Sequence, residues 1–270
     1  MAVFKKDSTA LITGGASGIG LALAKHCLAQ GMRVLVADIS TPAIPTDPNL
    51  FAFQIDVSKP EEWAELKGFV DEKFRGTLNL LALNAGTGLL SSWTDTASFI
   101  KTLDTNLFGV IHGISTFLDT VKASATEEHP GAVVVTGSKQ GITNPPGNAA
   151  YNTSKAAVKT LTEHLSYDLR STPNISVHLL VPGWTYTKLT GASPTKEKPA
   201  GAWGPEQVVD YLVQKMNEGK FYVICPDNDV TEEMDRKRML WSVGDIVEGR
   251  QPLSRWREEY KEEVDAWMKQ

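Results

Sequence analysis

The sequence predicts a single doubly wound α/β domain, with a parallel sheet of about seven strands and helices on both faces. Short apolar runs alternate with segments of helical periodicity, and most of these runs are too apolar to have one face in water. The chain has 270 residues, of which 41% are hydrophobic, so it can fill one large core. No internal repeat, low-complexity tract or linker divides it, and we expect one domain over residues 1–270.

The predicted strands are short runs of aliphatic and β-branched side chains at 9–12, 33–37, 50–53, 78–83, 132–135, 176–181 and 221–224. Helical spacing in one intervening segment joins Phe99, Leu103, Val110, Ile114 and Phe117. In another segment it joins Val158, Leu161, Leu165 and Leu169. Three prolines between residues 41 and 48 exclude a regular helix directly after the second strand.

The tail beyond Pro226 is predicted to form a helical C-terminal extension at about residues 227–270. A single apolar stripe, with charges opposite, contains Leu253, Trp256, Tyr260, Val264 and Trp267. Tryptophans offer large apolar areas that are best placed out of water. We therefore expect this extension to pack over a subunit boundary or over the substrate mouth near Trp184.

Composition excludes several classes of protein. Lys and Arg number 27 against 32 Asp and Glu, and the net charge of −5 argues against a nucleic-acid-binding surface. Cys27 and Cys225 have no partnered spacing, so we expect two buried thiols in a reducing compartment. The five histidines show no metal-ligand spacing, and no metal is expected. No segment has the apolar run of a signal peptide or a membrane span, so we expect a cytoplasmic protein without membrane or nucleic-acid partners.

A glycine-rich turn follows the first strand and precedes an apolar helix; its sequence is Thr13-Gly14-Gly15-Ala16-Ser17-Gly18-Ile19-Gly20. Its glycines let the backbone approach a pyrophosphate, and the start of the helix offers free N–H groups. Turns collect glycine for structural reasons too, so the pattern alone is weak. The strand before it and the helix after it favour a dinucleotide site.

Asp38 ends the second strand, 18 residues beyond Gly20. A carboxylate at this place can accept hydrogen bonds from both adenosine ribose hydroxyls and repels a 2′-phosphate. The neighbouring Ser17 and Ile39 are not basic, so the sequence favours NAD over NADP. The alternative is an ordinary solvated aspartate at a strand end.

Tyr151 and Lys155 lie four residues apart on one face of a predicted helix. A nearby ammonium stabilises a phenolate and lowers the phenol pKa, which makes a usable general acid/base. Ser138 follows the fifth strand and could hold a substrate oxygen beside Tyr151. Taken alone, Tyr-x-x-x-Lys on a helix is commonplace.

The combination of motifs resembles the short-chain dehydrogenase/reductase family over about residues 7–225. The matching pieces are the turn at 13–20, Asp56-Val57, Asn84-Ala85-Gly86, Asn106, Ser138, Tyr151-Asn152-Thr153-Ser154-Lys155 and Pro182-Gly183. The resemblance implies a Rossmann-type fold, an oxidoreductase that uses NAD or, less favoured here, NADP, and a homodimer or homotetramer. It implies a hydride transfer between nicotinamide and a carbinol carbon, while Tyr151 exchanges the hydroxyl proton.

The resemblance also implies a role for each motif. Asp56 would bind the adenine amine, Asn106 would hold a relay water for Lys155, and Lys155 would grip the nicotinamide ribose. Catalysis would use Ser138, Tyr151, Lys155 and Asn106. Cofactor contacts would come from Gly14, Ser17, Gly18, Ile19, Gly20, Asp38, Ile39, Asp56, Val57, Asn84, Ala85, Gly86, Tyr151, Lys155, Pro182, Gly183, Thr185 and Thr187.

Three features depart from the family pattern. The proline-rich stretch 41–48 replaces the usual helix after the second strand, and Thr185 stands where an aliphatic residue is more common. The C-terminal extension is longer than a family member needs.

Two rival functions use the same scaffold. One is a non-redox epimerase or cyclase, and the other is a non-catalytic NAD-binding regulator. The intact set of four catalytic residues argues against both rivals. The loops 87–93, 140–146 and 184–203 should select a small-molecule substrate. Their Trp93, Tyr186 and Leu189 could form an apolar wall or could simply anchor the loops.

Overall fold

A seven-stranded, fully parallel sheet forms the centre of the computed structural model, which describes residues 3–40, 47–193 and 195–269. The strand order is β3-β2-β1-β4-β5-β6-β7. The strands are β1 Thr9–Thr13, β2 Arg33–Asp38, β3 Leu50–Gln54, β4 Leu80–Leu83, β5 Gly131–Thr136, β6 Ile175–Val181 and β7 Tyr222–Ile224. All seven predicted strands are present, and the predicted fold class is confirmed. The proline-rich residues 41–46 lie outside the described part of the chain.

Nine α-helices occur in the described residues: α1 Gly18–Ala29, α2 Pro60–Phe74, α3 Thr96–Leu103, α4 Gly109–Ser124, α5 Gln140–Thr143, α6 Ala149–Asp168, α7 Pro205–Asn217, α8 Glu232–Val247 and α9 Lys261–Lys269. Helices α2, α4 and α6 cover one face of the sheet, and α1 and α7 cover the other. Strands β1, β2, β4 and β5 are therefore buried along almost their whole length, which explains why their sequences are continuously apolar. The edge strands β3 and β7 are partly exposed.

Alternate residues of each strand enter two separate cores. Leu11 of β1 packs with the side chains of α2, α4 and α6, whereas Ala10 and Ile12 pack with those of α1 and α7. Trp63 is 2% exposed, and its indole N–H donates to the Val57 carbonyl over 3.0 Å. The buried indole therefore has its polar atom satisfied.

A π-helical turn, Asp104–Phe108, lies within the segment whose apolar residues from Phe99 to Phe117 have helical spacing. It joins α3 to α4 and carries Asn106, which is fully buried. A π turn adds one residue to the helical repeat and is frequent at functional sites. The predicted helical character of this segment is confirmed, and the π turn within it was not predicted.

The C-terminal extension is helical but does not form the single stripe predicted for it. Two 3₁₀ turns, Ser254–Trp256 and Glu258–Tyr260, separate α8 from α9, and Leu253 has φ +59°. The indoles of Trp241 and Trp267 pack edge to face at 6.0 Å, and Trp241 is 5% exposed. Much of the tryptophan surface is therefore covered within the extension, and its contact with another subunit stays a prediction.

Two composition-based expectations can be compared with the structure. Cys27 and Cys225 are free and buried, as predicted. Burial raises the pKa of the Cys225 thiol to about 12, so this thiol is unreactive at neutral pH. In the part of the chain that the structure describes, none of the helices combines the length and apolar character needed to cross a bilayer.

Candidate active site

The glycine-rich turn lies at the carboxyl ends of β1 and β4, against the backbone of Ala85. Gly14 has φ +65° and Gly18 has φ +55°, which are left-handed conformations that disfavour a side chain. A Cβ on Gly14 would lie 2.7 Å from Ala85 Cα, and one on Gly20 would collide with the Gly14 carbonyl oxygen. Glycine is therefore required here by close backbone contacts.

The start of α1 supplies the donors that a phosphate needs. The helix begins at Gly18, and the side chain of Ser17, its N-cap residue, makes no capping hydrogen bond. The N–H groups of Gly18, Ile19 and Gly20 have no partner within the helix, because its first turn precedes the first i→i−4 bond. These donors and the positive end of the helix dipole suit a pyrophosphate.

Asn84 joins the ends of three strands beneath this turn. Its amide nitrogen donates to the carbonyls of Thr13 and Gly14, each over 3.3 Å. Its amide oxygen accepts from the Thr136 hydroxyl at 3.1 Å, and the Thr13 hydroxyl accepts from the Asn84 and Ala85 N–H groups at 3.0 and 3.1 Å. The Asn84 side chain therefore fixes the backbone of the glycine-rich turn at Thr13 and Gly14.

Asp38 closes the other side of the turn. One carboxylate oxygen accepts from the Ala16 N–H at 2.9 Å, and the other accepts from the Ser40 N–H and hydroxyl at 3.0 and 2.9 Å. The next side chain, Ile39, is 68% exposed. The oxygen that accepts from Ala16 has one further acceptor site, which fits a ribose hydroxyl beside the glycine turn.

The resemblance assigns Asp56 and Val57 to the adenine, but only one of the two side chains is accessible to a ligand. One Asp56 carboxylate oxygen accepts from the Ser58 N–H and hydroxyl at 3.0 and 2.7 Å. The Val57 side chain is 5% exposed, belongs to the core and leaves less than a normal contact distance for a Cβ on Gly109. Val57 can therefore contact a ligand only through its backbone.

Asn106 fixes the loop after β4 to helix α6. Its amide nitrogen donates to the Thr87 carbonyl and to the Ser154 hydroxyl, each over 3.0 Å, and its amide oxygen accepts from the Thr87 N–H at 2.7 Å. A Cβ on Gly86 would lie 3.2 Å from the same oxygen. The relay water implied by the resemblance stays a prediction.

Ser138, Tyr151 and Lys155 meet beyond the end of β5. The Ser138 side chain lies near enough to the Tyr151 phenol to act on its pKa, and the Lys155 Nζ lies 5.9 Å from the centre of the tyrosine ring. The ammonium donates to the Thr136 carbonyl over 2.7 Å. Helix α6 begins just before Tyr151, where the Asn148 side chain caps the helix by accepting from the Tyr151 N–H at 3.3 Å.

The ionisation of this pair differs from the prediction. Burial raises the pKa of Tyr151 above its usual value, and the hydrogen bond from Ser138 opposes that rise. The pKa of Tyr151 is therefore raised and not lowered, contrary to the prediction. Burial also lowers the pKa of Lys155 to about 8. A lysine with this pKa gains and loses a proton readily near neutral pH.

Replacing Lys155 by Met is expected to stabilise the folded protein at pH 7. The folded pKa of about 8 lies below the ordinary 10.5, so burying the ammonium costs stability below pH 8, and the cost disappears as pH rises to 10.5. We expect a gain on the order of 2–3 kcal/mol at pH 7 that shrinks towards pH 10.5, measured by urea unfolding. Lys159→Met, at a partly exposed position one turn further along α6, is the control. A gain independent of pH in Lys155→Met would contradict this reading.

The loop after β6 returns to the glycine turn. Thr185 is 3% exposed, and its hydroxyl donates to the Gly183 carbonyl over 3.1 Å, so its side chain faces the protein. The methyl group of Thr187 lies 3.1 Å from where a Cβ of Gly18 would be. Of the two predicted threonines, only Thr187 has its side chain at the turn. The half-buried Pro182 and Gly183 lead into this loop.

The aromatic and aliphatic residues of the surrounding loops were predicted either to form an apolar wall or to anchor their own loops, and they differ in this respect. The Tyr186 hydroxyl donates to the Lys196 carbonyl over 2.6 Å, so Tyr186 anchors its own loop. Trp93 is 85% exposed and packs on Phe99 at 5.5 Å. Leu189 is 52% exposed and reaches the backbone of Gly88 across the cleft. Only Leu189 bridges the loops after β4 and β6.

Sequence reasoning missed three charged residues next to this site. Lys139, immediately after Ser138, pairs with Asp235 and Asp227 at 2.5 and 3.5 Å. A charged residue three positions after a buried strand was the available signal, but its partners are far away in the sequence. Within residues 3–40, 47–193 and 195–269, no three His, Cys, Asp or Glu side chains form a metal-binding group.

A family model described as short chain dehydrogenase matches residues 8–198. An uncharacterised oxidoreductase of Saccharomyces cerevisiae is 30% identical over 210 residues, which cover 73% of this chain and 66% of that protein. The NADP-dependent (R)-specific alcohol dehydrogenase of Lentilactobacillus kefiri is 30% identical over 196 residues, which cover 68% of this chain and 75% of that protein.

The structure is also similar to a short chain dehydrogenase/reductase from Burkholderia phymatum, solved in complex with NAD. The TM-score is 0.78 at 25% identity, and the match covers 93% of this chain and 98% of that one. The uncovered share of this chain is smaller than residues 227–270. Part of the C-terminal extension therefore has a counterpart in that protein.

Proposed function

Because the chain belongs to the short-chain dehydrogenase/reductase family, we propose that this oxidoreductase interconverts a secondary alcohol and a ketone with NAD as its cofactor. The observation that carries the proposal is the meeting of Ser138, Tyr151 and Lys155 at the end of β5. On the same edge of the sheet lie the glycine turn and Asp38. Ligands of doubly wound sheets bind at this edge.

The side chains divide the work as follows. Nicotinamide, when bound, supplies or accepts the hydride. Ser138 binds the substrate oxygen, and the Tyr151 hydroxyl gives that oxygen a proton or takes one from it. The raised pKa of Tyr151 keeps the phenol protonated at neutral pH, which is the form needed to protonate a carbonyl oxygen. Lys155, held by the Thr136 carbonyl, keeps a positive charge beside the phenol as its proton leaves.

A panel of secondary alcohols and ketones tests the proposal. Oxidation or reduction is followed through the absorbance of the reduced nicotinamide, with 2-butanol, cyclohexanol and 1-phenylethanol and their ketones as the first members. We expect at least one pair to react in both directions. Absence of turnover with every pair, together with tight cofactor binding, would favour a non-catalytic role.

Asp38 is expected to make NADH bind at least about tenfold more tightly than NADPH, because a 2′-phosphate would lie against its carboxylate. Fluorescence titration of the protein with each cofactor measures the two dissociation constants. Asp38→Asn is the matched variant, since it removes the charge with little change in shape, and its single amide oxygen can still accept from either Ala16 or Ser40. We expect it to reduce the preference. Tighter binding of NADPH to the unmodified protein would contradict the role of Asp38. Cofactor use varies among relatives, since the Lentilactobacillus kefiri protein is named NADP-dependent.

A further inference from the structure

We propose that the C-terminal extension positions the catalytic Ser138 through a buried charge cluster formed by Lys139, Asp227 and Asp235. Asp235 and Lys139 would be positioning residues that act through Ser138 and through the loop that begins at Gly183. The catalytic part of the inference rests on the proposed function, whereas its structural part can be tested without a substrate.

The cluster joins the extension to the residue next to Ser138. The Lys139 ammonium lies 2.5 Å from an Asp235 carboxylate oxygen and 3.5 Å from an Asp227 carboxylate oxygen. The side chains of Lys139, Asp227 and Asp235 are 15%, 5% and 4% exposed. Asp235 lies in the first turn of α8, where the Thr231 side chain caps the helix, and Arg238 approaches its second oxygen at 3.9 Å.

Asp227 extends the cluster to the loop after β6. The carboxylate oxygen that faces Lys139 also accepts from the Trp184 N–H at 3.0 Å. The same oxygen would lie 2.8 Å from a Cβ on Gly183, so the loop passes directly over it. One ammonium therefore connects the loops that follow β5, β6 and β7 with helix α8.

Helix α5 transmits the position of Lys139 to the rest of the site. The N–H groups of Ile142 and Thr143 both donate to the Lys139 carbonyl, at 3.0 and 2.9 Å. Gly141 packs so tightly on α6 that a Cβ there would lie 2.5 Å from the carbonyl carbon of Lys155. Helix α6 therefore resists a displacement of Lys139. Because Ser138 is next to Lys139 and Tyr151 lies on α6, a displacement that does occur changes the distance between Ser138 and Tyr151.

Charge and burial explain why this contact holds its geometry. A buried ammonium deprived of its partner leaves an uncompensated charge, which is far more costly than losing a surface ion pair. The cluster therefore favours the one arrangement in which α8 lies against α5. A catalytic hydroxyl misplaced by about 1 Å can lower a rate on the order of a hundredfold.

Asp235→Asn tests the cluster in the full-length protein. It removes one charge with almost no change in shape, and Glu233→Gln, at an exposed ion pair two residues earlier on α8, is the control. Amide hydrogen exchange is measured by mass spectrometry in the peptides that contain Gly141–Thr143 and Trp184. We expect at least about tenfold faster exchange there in Asp235→Asn and no change in Glu233→Gln. Equal exchange in both variants would overturn the cluster as a structural connection.

Kinetics separate positioning from plain destabilisation. With the best alcohol of the panel, we expect Asp235→Asn to lower kcat about 10- to 100-fold per NADH-binding site, while the dissociation constant of NADH changes less than about threefold. Lys139→Arg keeps the charge and should retain more activity than Lys139→Met. Loss of NADH-binding sites in proportion to activity would show only unfolding and would overturn the positioning role. Failure of the proposed function appears differently, as absence of turnover in the unmodified protein while the exchange result still holds.

Discussion

Replacing Tyr151 by Phe is expected to lower kcat at least about a thousandfold while the dissociation constant of NADH changes less than about twofold. The substitution deletes one hydroxyl and keeps the ring, and the ring is the part of Tyr151 that packs beside Lys155. The hydroxyl is the group whose pKa Ser138 affects, and the proposal uses it to exchange a proton with the substrate oxygen. Steady-state rates and fluorescence titration of NADH measure the two effects.

Tyr167→Phe is the matched control for that experiment. Tyr167 lies on the same helix, is 63% exposed and packs its ring against the Arg170 guanidinium, which a phenylalanine can also do. We expect unchanged turnover and unchanged stability in this variant. If Tyr151→Phe retained the turnover of Tyr167→Phe, the assignment of Tyr151 as general acid/base would be wrong.

Replacing Gly20 by Ala is expected to destabilise the protein by about 2–4 kcal/mol and to weaken NADH binding about a hundredfold or more. The added Cβ collides with the Gly14 carbonyl oxygen and would lie 2.8 Å from the Asn84 amide nitrogen. Both neighbours are fixed, because Asn84 holds the turn and is itself held by Thr136. The turn and its phosphate donors must therefore move. Urea unfolding and a cofactor titration measure the two losses.

Gly68→Ala is the matched control because it makes the same chemical change in the exposed part of helix α2. A Cβ at Gly68 would have no heavy atom within 4 Å, and alanine is the better helix former. We expect Gly68→Ala to stabilise the protein by about 0.5–1 kcal/mol with unchanged NADH affinity. Equal effects of the two substitutions would show that the backbone contact at Gly20 is unimportant.

The central strands could be predicted because both of their faces are buried. Val133 and Val135 enter one core and Ala132 and Val134 the other, so the run is apolar at every position and stands out from its surroundings. The π turn at Asn106 could not be predicted, because one added residue shifts the apolar period too little to be seen over a few turns. In the extension, the turns after Leu253 depend on contacts such as the Trp241 indole donating to Ser254 over 2.7 Å.

In the candidate site too, residues at strand ends could be predicted, whereas contacts between distant segments could not. Ser138, Asp38 and Asn84 follow parallel strands, so strand assignment alone places them on one edge of the sheet. The cluster of Lys139, Asp227 and Asp235 joins distant segments, and no local spacing connects them. The predicted direction of the Tyr151 pKa shift was wrong for a related reason. Sequence spacing shows that a lysine is near but does not show how deeply the phenol is buried.

Isotope transfer tests the central claim most directly. The protein is incubated with a ketone of the panel and NADH carrying deuterium at the reactive carbon of the nicotinamide, with each face labelled in turn, and the product is analysed by mass spectrometry. The account predicts an alcohol with one deuterium at the carbinol carbon from one of the two labelled cofactors. An alcohol without deuterium from either, or no alcohol from any ketone of the panel with NADH, would contradict it.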